Sequence, residues 1–189
     1  MYIRKSFTEE NKMINGCLRG DRKAQRLLYD QYAGKFLAVC IRYVKDRDTA
    51  EDVLVEGFMI IFEKLSQFEG KGSFEGWMKR IMVNQSLLTL RKNKNLAMEI
   101  DLDQHEDLKA TGHEFNQLET EELLQMVATL PVGYRTIFNL YAIEGYSHKE
   151  IQELLGISES TSKSQFSRAR NLLKNKLLLQ QKYDKRRNG

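Results

Sequence analysis

The chain has 189 residues with 41% hydrophobic and 30% charged side chains, enough apolar content for one large or two small soluble domains. No apolar run approaches the ~20 residues of a bilayer span, and the start MYIRKSFTEENK lacks a signal peptide's apolar stretch, so a cytoplasmic protein is expected. The net charge of +4 hides a pattern: residues 1–98 carry +6, residues 99–122 carry −8 and residues 123–189 carry +6, two basic blocks suited to a polyanion around one acidic segment.

With a single proline and abundant Leu, Lys, Glu, Gln and Arg, the composition predicts an all-α fold. From Asp21, Ala24, Leu27, Leu28, Tyr32 and Phe36 recur at helical spacing, and the stripe continues through Val39 and Tyr43. A second helix follows KDRDTAED, where Asp48 and Glu51 have capping-box spacing, and its apolar stripe runs from Ala50 to Leu65. Here Gly57 interrupts the helix at a cost of about 1 kcal/mol relative to Ala. QFEGKGSFEG, with three glycines in ten residues, is predicted to be a loop. A third helix begins near Phe74 and ends in a basic segment, so residues 1–95 read as one helical domain.

Residues 96–118 lose periodicity and gain acid, which predicts an extended polar linker. Helix resumes near Glu119, and Pro131 suits the first turn of a further helix. Residues 119–180 form the second predicted domain, and residues 181–189 a frayed basic tail.

Within that domain YSHKEIQELLGISESTSKSQFSRARNLL reads as a helix-turn-helix. Ser147 and Glu150 make a capping box, Ile151, Leu154 and Leu155 face inward, Gly156 permits the turn, and Ser158 caps the next helix. In that next helix Ser160, Lys163, Ser164, Ser167 and Arg168 share one polar, basic face, whereas Ser162, Phe166, Ala169 and Leu173 fall opposite. Short hydroxyls allow close approach to base edges while Lys and Arg reach guanine or phosphate. Two residues depart from the pattern: Gln152, where the helices are expected to cross, and Ser162, a hydroxyl at a buried position.

Cys17 and Cys40 form no C-x-x-C pair, and His105, His113 and His148 complete no zinc spacing, so buried reduced thiols are expected. No nucleophile triad, phosphate loop or paired acid–base carboxylates stand out, which predicts a protein without enzymatic activity, cofactor or small-molecule substrate. Pattern alone reaches a DNA-binding helical protein. A free-standing regulator that binds duplex as a dimer and an interaction protein that sequesters a partner are the alternative readings.

Three stretches together, YDQYAGKFLAVCIRYVKDRDTAEDVLVEGFMIIFEKL, GKGSFEGWMKRIMVNQSLLTLRK and LPVGYRTIFNLYAIEGYSHKEIQELLGISESTSKSQFSRARNLL, resemble the extracytoplasmic-function (ECF) RNA polymerase sigma factors. The resemblance covers roughly residues 20–178 and implies a region 2 helical bundle and a region 4 helix-turn-helix. It also implies binding to core polymerase, at the β′ clamp helices and the β flap, with an anti-sigma protein as a further partner. Glu51, Asp52, Val55, Glu56 and Met59 would meet the clamp helices, with Val55 standing where many members have Gln.

The same resemblance implies that Lys71, Phe74, Trp77, Lys79, Arg80, Asn84 and Arg91 engage a single-stranded −10 element, with Lys92 and Lys94 on duplex phosphates. Trp77 could line the strand, but a lone Trp on an amphipathic helix more often belongs to the core. Lys163, Ser164, Ser167 and Arg168 would read a duplex −35 element, with His148, Lys149 and Arg170 on its phosphates. The acidic linker corresponds to a segment that threads polymerase channels, or acts as a plain tether.

Overall fold

The computed structural model describes residues 2–92 and 120–187, with side chains placed over 9–92 and 121–180. The acidic linker and Lys94 lie outside the described residues. The chain divides into two compact units, Met1–Leu90 and Arg91–Gly189. The described residues are all-α, as the composition predicts.

Unit 1 contains α1 (Tyr2–Leu18), α2 (Arg22–Val44), α3 (Arg47–Lys64), a 3-10 turn at Leu65–Gln67, and α4 (Phe74–Lys92). The sequence reading begins its first helix only at Asp21 and misses α1, although Ile3, Phe7, Ile14 and Leu18 recur at helical spacing along it. Gly16 lets α1 approach α2, because a Cβ there would stand 2.6 Å from the Ala24 Cβ. Asp21 caps α2 by accepting the Lys23 N–H at 2.8 Å.

Helix α3 starts earlier than the Asp48–Glu51 spacing predicts. Asp46 is its cap, with an extended backbone and a side chain that accepts the Thr49 N–H at 2.9 Å. Asp48 instead lies inside the first turn, where its charge favours the helix dipole, and Glu51 pairs with Arg47 at 2.9 Å.

The unit 1 core is aromatic and aliphatic. Leu28, Phe36, Cys40, Tyr43, Ala50, Ile61, Met78 and Met82 have no measurable exposure. Burying each large apolar side chain contributes roughly 1.5–3 kcal/mol. Leu27, predicted to belong to this stripe, is 62% exposed. Residues 28, 32, 36, 39 and 43 already fill the inner face of α2, and a residue one position away is rotated by about 100°. Gly57, which reads as a helix defect, is buried where α3 meets α4, and a Cβ there would overlap the Met82 thioether. Its missing side chain is what lets the helices approach.

Unit 2 contains α5 (Thr120–Ala128), α6 (Val132–Phe138), a π-helical turn (Asn139–Ile143), α7 (His148–Leu155) and α8 (Glu159–Arg187). Pro131 stands at the N-cap of α6, one residue before its first turn. Val127, Leu130, Tyr134, Phe138, Ala169 and Leu173 form the core, so α5 and α6 support the same helix that carries the polar stripe. Arg135, though buried, donates from Nη1 to the Leu130 carbonyl at 2.9 Å. The helical backbone of α8 runs on to Arg187, through most of the segment that reads as a frayed tail.

Both cysteines are buried and free. Burial raises the Cys17 thiol above its ordinary pKa and pushes the Cys40 thiol up to about 11, so both remain protonated and unreactive.

Candidate nucleic-acid and partner interfaces

The paired helices of unit 2 are fixed at each junction by a local hydrogen bond. Ser147 Oγ accepts the Glu150 N–H at 3.2 Å, and Glu150 Oε2 accepts the Ser147 N–H at 2.8 Å, which closes the capping box. Gly156 ends α7 with φ 69°, a left-handed conformation that disfavours a Cβ. Ser158 Oγ then accepts the Thr161 N–H at 3.0 Å and caps α8.

The start of α8 turns Ser160, Lys163 and Ser164 to solvent, with Ser167 and Arg168 half-buried on the same side. Lys163 Nζ lies 2.6 Å from the Glu159 carboxylate. The Lys163 hydrogen bond holds the Glu159 carboxyl below its usual pKa, and the lysine charge adds to the effect. Arg170 is exposed, with its guanidinium 6.0 Å from the Phe166 ring centroid. Ile151 is fully buried, whereas Leu154 and Leu155 are only half-buried. Gln152 is exposed, so it does not stand at the helix crossing.

Ser162 is wholly buried, and its Oγ lies 2.9 Å from His148 Nδ1, so the hydroxyl has a partner across the two helices. His148 also stacks on Tyr141, centroid to centroid 4.2 Å and 13° from parallel. Burial, then the Lys163 charge, lowers the His148 pKa below its ordinary value, so the imidazole is neutral near pH 7. It therefore suits hydrogen bonding to a phosphate better than charge pairing. The ring lines an open cleft of about 570 Å³ with Tyr141, Ser147, Lys149 and Glu159.

In unit 1 the loop before α4 turns through Gly70 at φ 71° and Gly72 at φ 82°. Ser73 Oγ then accepts the Gly76 N–H at 3.0 Å at the start of the helix. Trp77, Arg80, Asn84, Leu88 and Arg91 recur at spacings of three and four, so they share one face of α4. Arg80, Asn84, Leu88 and Arg91 are exposed, and Trp77 is half-buried. Lys79 stands beside the stripe and is half-buried, while Lys71 in the loop pairs with Glu69 at 2.5 Å.

Phe74 departs from its expected role, because it is 1% exposed and has no open ring face for a base. It packs beneath Trp77, 5.9 Å away and 13° from parallel, with Phe68 at 5.1 Å and Tyr32 at 6.5 Å around it. With Tyr32, Phe68 and Trp77 around it, the ring that the resemblance assigns to the strand instead supports Trp77.

On α3, Glu51, Asp52, Val55, Glu56 and Met59 form one exposed stripe. Val55 is 51% and Met59 66% exposed, an apolar centre with acid around it. Glu56 also accepts a hydrogen bond from Gln85 Nε2, and Gln85 is buried on α4. Sequence spacing identifies neither Gln85 nor exposed Leu88 as part of these surfaces, because an amide partner 29 residues away leaves no periodic signal.

The profile described as Sigma-70 region 2 matches residues 28–96, and that described as Sigma-70, region 4 matches residues 120–173. The ECF RNA polymerase sigma-E factor of Haemophilus influenzae is 28% identical over 180 residues, covering 89% of this chain and 95% of that protein. The sigma-E factor of Escherichia coli K12 is 30% identical over 177 residues, covering 87% and 92%. The solved structure of the sigma factor RpoE in complex with the anti-sigma factor NepR from Bartonella quintana superposes with a TM-score of 0.50. It has 22% identity to this chain over 80% of its length and 95% of the solved chain, a likeness of fold.

Proposed function

We propose, from the premise that this chain belongs to the ECF sigma-factor family, that it directs core RNA polymerase to promoters by holding two DNA elements in two different states. As a sigma factor it is a non-enzymatic transcription-initiation factor. Unit 2 binds the −35 element as duplex and unit 1 holds the −10 element as single strand. The observation that carries this reading is the α4 stripe of Trp77, Arg80, Asn84 and Arg91 beside a two-glycine loop. A plain helix-turn-helix regulator has no use for it.

The steps follow from the chemistry of each face. The α3 stripe docks on the polymerase: Val55 and Met59 bury apolar surface, and Glu51, Asp52 and Glu56 meet cations of the clamp helices. Lys163, Ser164, Ser167 and Arg168 enter the major groove, and Lys149 and Arg170 neutralise phosphates while His148 donates to one.

Extruding a base costs a few kcal/mol, and stacking on an aromatic ring returns roughly 1–3 kcal/mol per base. Trp77, backed by Phe74, offers the ring, and Asn84 can both donate to and accept from a captured base edge. Lys71, Lys79, Arg80 and Arg91 hold the strand's phosphates. An anti-sigma protein and the polymerase β flap complete the partners, and the work is done in the cytoplasm. Among the described residues no helix is long and apolar enough to cross a membrane.

The test is run-off transcription on fragmented genomic DNA with core polymerase from the source organism. Discrete new transcripts should share two upstream elements at fixed spacing. Lys163→Ala with Arg168→Ala should lower initiation on the order of tenfold or more through the upstream element. Asn84→Ala should act through the downstream element, and a pre-melted template should restore activity to it but not to the groove variant. No transcripts, together with tight duplex binding by the chain alone, would overturn the reading in favour of a free-standing regulator.

A further inference from the structure

A polar contact that crosses between α7 and the core side of α8 joins two residues that sequence pattern treats separately, a misfit hydroxyl and a phosphate ligand. Ser162 is wholly buried, and a buried hydroxyl needs an acceptor for its proton. The Ser158 carbonyl already accepts the Ser162 N–H at 3.0 Å. His148 Nδ1 lies within hydrogen-bond distance of the hydroxyl, at 2.9 Å. An Nδ1 that accepts carries no proton, so the neutral ring must carry its proton on Nε2. Tyr141 stacks on that ring and fixes its plane.

We propose that Ser162 is a positioning residue for His148: its hydroxyl donates to Nδ1, keeps the imidazole proton on Nε2, and so presents a fixed N–H donor to a DNA phosphate at the start of α7. The proposal rests on the reading of unit 2 as a duplex-binding module. The groups that face the ring set its behaviour with pH. Lys163 and Glu159 approach from α8, Lys149 and Glu150 stand on α7, and Tyr141 covers one ring face from the π turn.

Protonating His148 removes the acceptor for the Ser162 proton. Because the folded-state pKa lies below the ordinary value, the pair is intact above that ordinary value. It is lost as pH falls through the lowered one. Phosphate contact at Nε2 acts in the opposite direction and favours the protonated ring, so DNA should narrow this window.

Nitrogen-15 NMR of the full chain should show His148 as the Nε2–H tautomer, and Ser162→Val should shift it toward a tautomer mixture. Valine fills the buried position with apolar volume, which keeps a simple cavity from imitating the effect. Binding is then measured on duplexes selected from a random-sequence library by the chain bound to core polymerase.

Ser162→Val and His148→Ala should each weaken binding on the order of tenfold, and the double variant no further than either alone. His148→Asn keeps an acceptor near the Nδ1 position but no donor at the Nε2 position. It should therefore recover the melting temperature lost in His148→Ala without recovering affinity.

An Nδ1–H tautomer in the native chain, additive losses in the double variant, or affinity rescue by His148→Asn each overturns the proposal. Failure to select any duplex overturns the reading of unit 2 and the phosphate contact with it. The tautomer shift in Ser162→Val still decides, on its own, whether Ser162 positions His148.

Discussion

The two units solve the problem of presenting a nucleic-acid face with different interiors. Unit 1 buries aromatic and aliphatic side chains almost throughout, with Gln85 and Ser86 as its buried polar residues. Unit 2 buries Arg135, Thr136, Asn139, Ser162 and Gln165, five polar or charged side chains among its described residues. Arg135 donates to the Leu130 carbonyl and Ser162 pairs with His148, and such bonds fix orientation more sharply than apolar contacts do. Unit 1 is held mainly by volume and carries a two-glycine loop, whereas unit 2 adds the directional bonds of Arg135 and Ser162 to its apolar core. The first suits a strand that must be caught after it separates. The second suits a groove whose shape is already set.

Phe36→Ala should break this contrast most. Phe36 is completely buried in unit 1, and the truncation should cost about 4 kcal/mol there. Trp77, the chain's sole tryptophan, lies in α4, so its fluorescence follows unit 1 alone. That transition should fall while hydrogen exchange in α7 and α8 stays unchanged.

Gly57→Val should cost about 2 kcal/mol by the same readout, through collision with Met82. Its control is Gly34→Ala in α2, where a Cβ meets open space, which should raise stability by about 1 kcal/mol. In unit 2, Ser147→Ala should cost about 1 kcal/mol, seen as faster exchange of the first α7 amides with Trp77 fluorescence unmoved.

The smallest effect sharpens the comparison through pH. Hydrogen bonds from the Thr49 side chain and backbone lower the Asp46 carboxyl pKa. Its contribution is therefore present above the ordinary carboxylate range and lost as pH falls through the lowered value. The destabilisation of unit 1 by Asp46→Ala should shrink in acid, measured as the difference between parent and variant denaturation midpoints across that range. The His148 pair places the corresponding loss in unit 2 below the ordinary histidine value.

The structure was most legible where one residue carries its own geometry. Ser147, Glu150, Gly156 and Ser158 each act within four positions of themselves, and each does what its type and spacing imply. Helical periodicity likewise located the inner faces of α2 and α3, but not their edges, which is why Leu27 reads as core and is exposed.

Of the candidate sites, the α3 stripe and the exposed part of the α4 stripe were readable, because exposure follows from helical phase. Phe74 was not, since its burial depends on Tyr32 and Phe68, which come from a distant helix and a loop. The pairings of His148 with Ser162 and of Glu56 with Gln85 are likewise tertiary, and Ser162, a misfit in the pattern, gains its sense only from a partner in space. The Asp46 cap lay two residues from a plausible rival, and local chemistry alone did not separate them.

Helix α8 has 29 residues and contains neither glycine nor proline, so it is a rod about 44 Å long. Its polar stripe of Ser160, Lys163, Ser164, Ser167 and Arg168 stands at one end, and the segment after Leu173 extends beyond the last buried core residue. Tilting such a rod by about 10° about its middle carries each end about 4 Å, more than the 3.4 Å step between successive bases. Whatever grips the distal half of this helix therefore holds a lever whose other arm carries Lys163, and under the proposed −35 contact a modest turn of the grip would be enough to change the base that Lys163 meets.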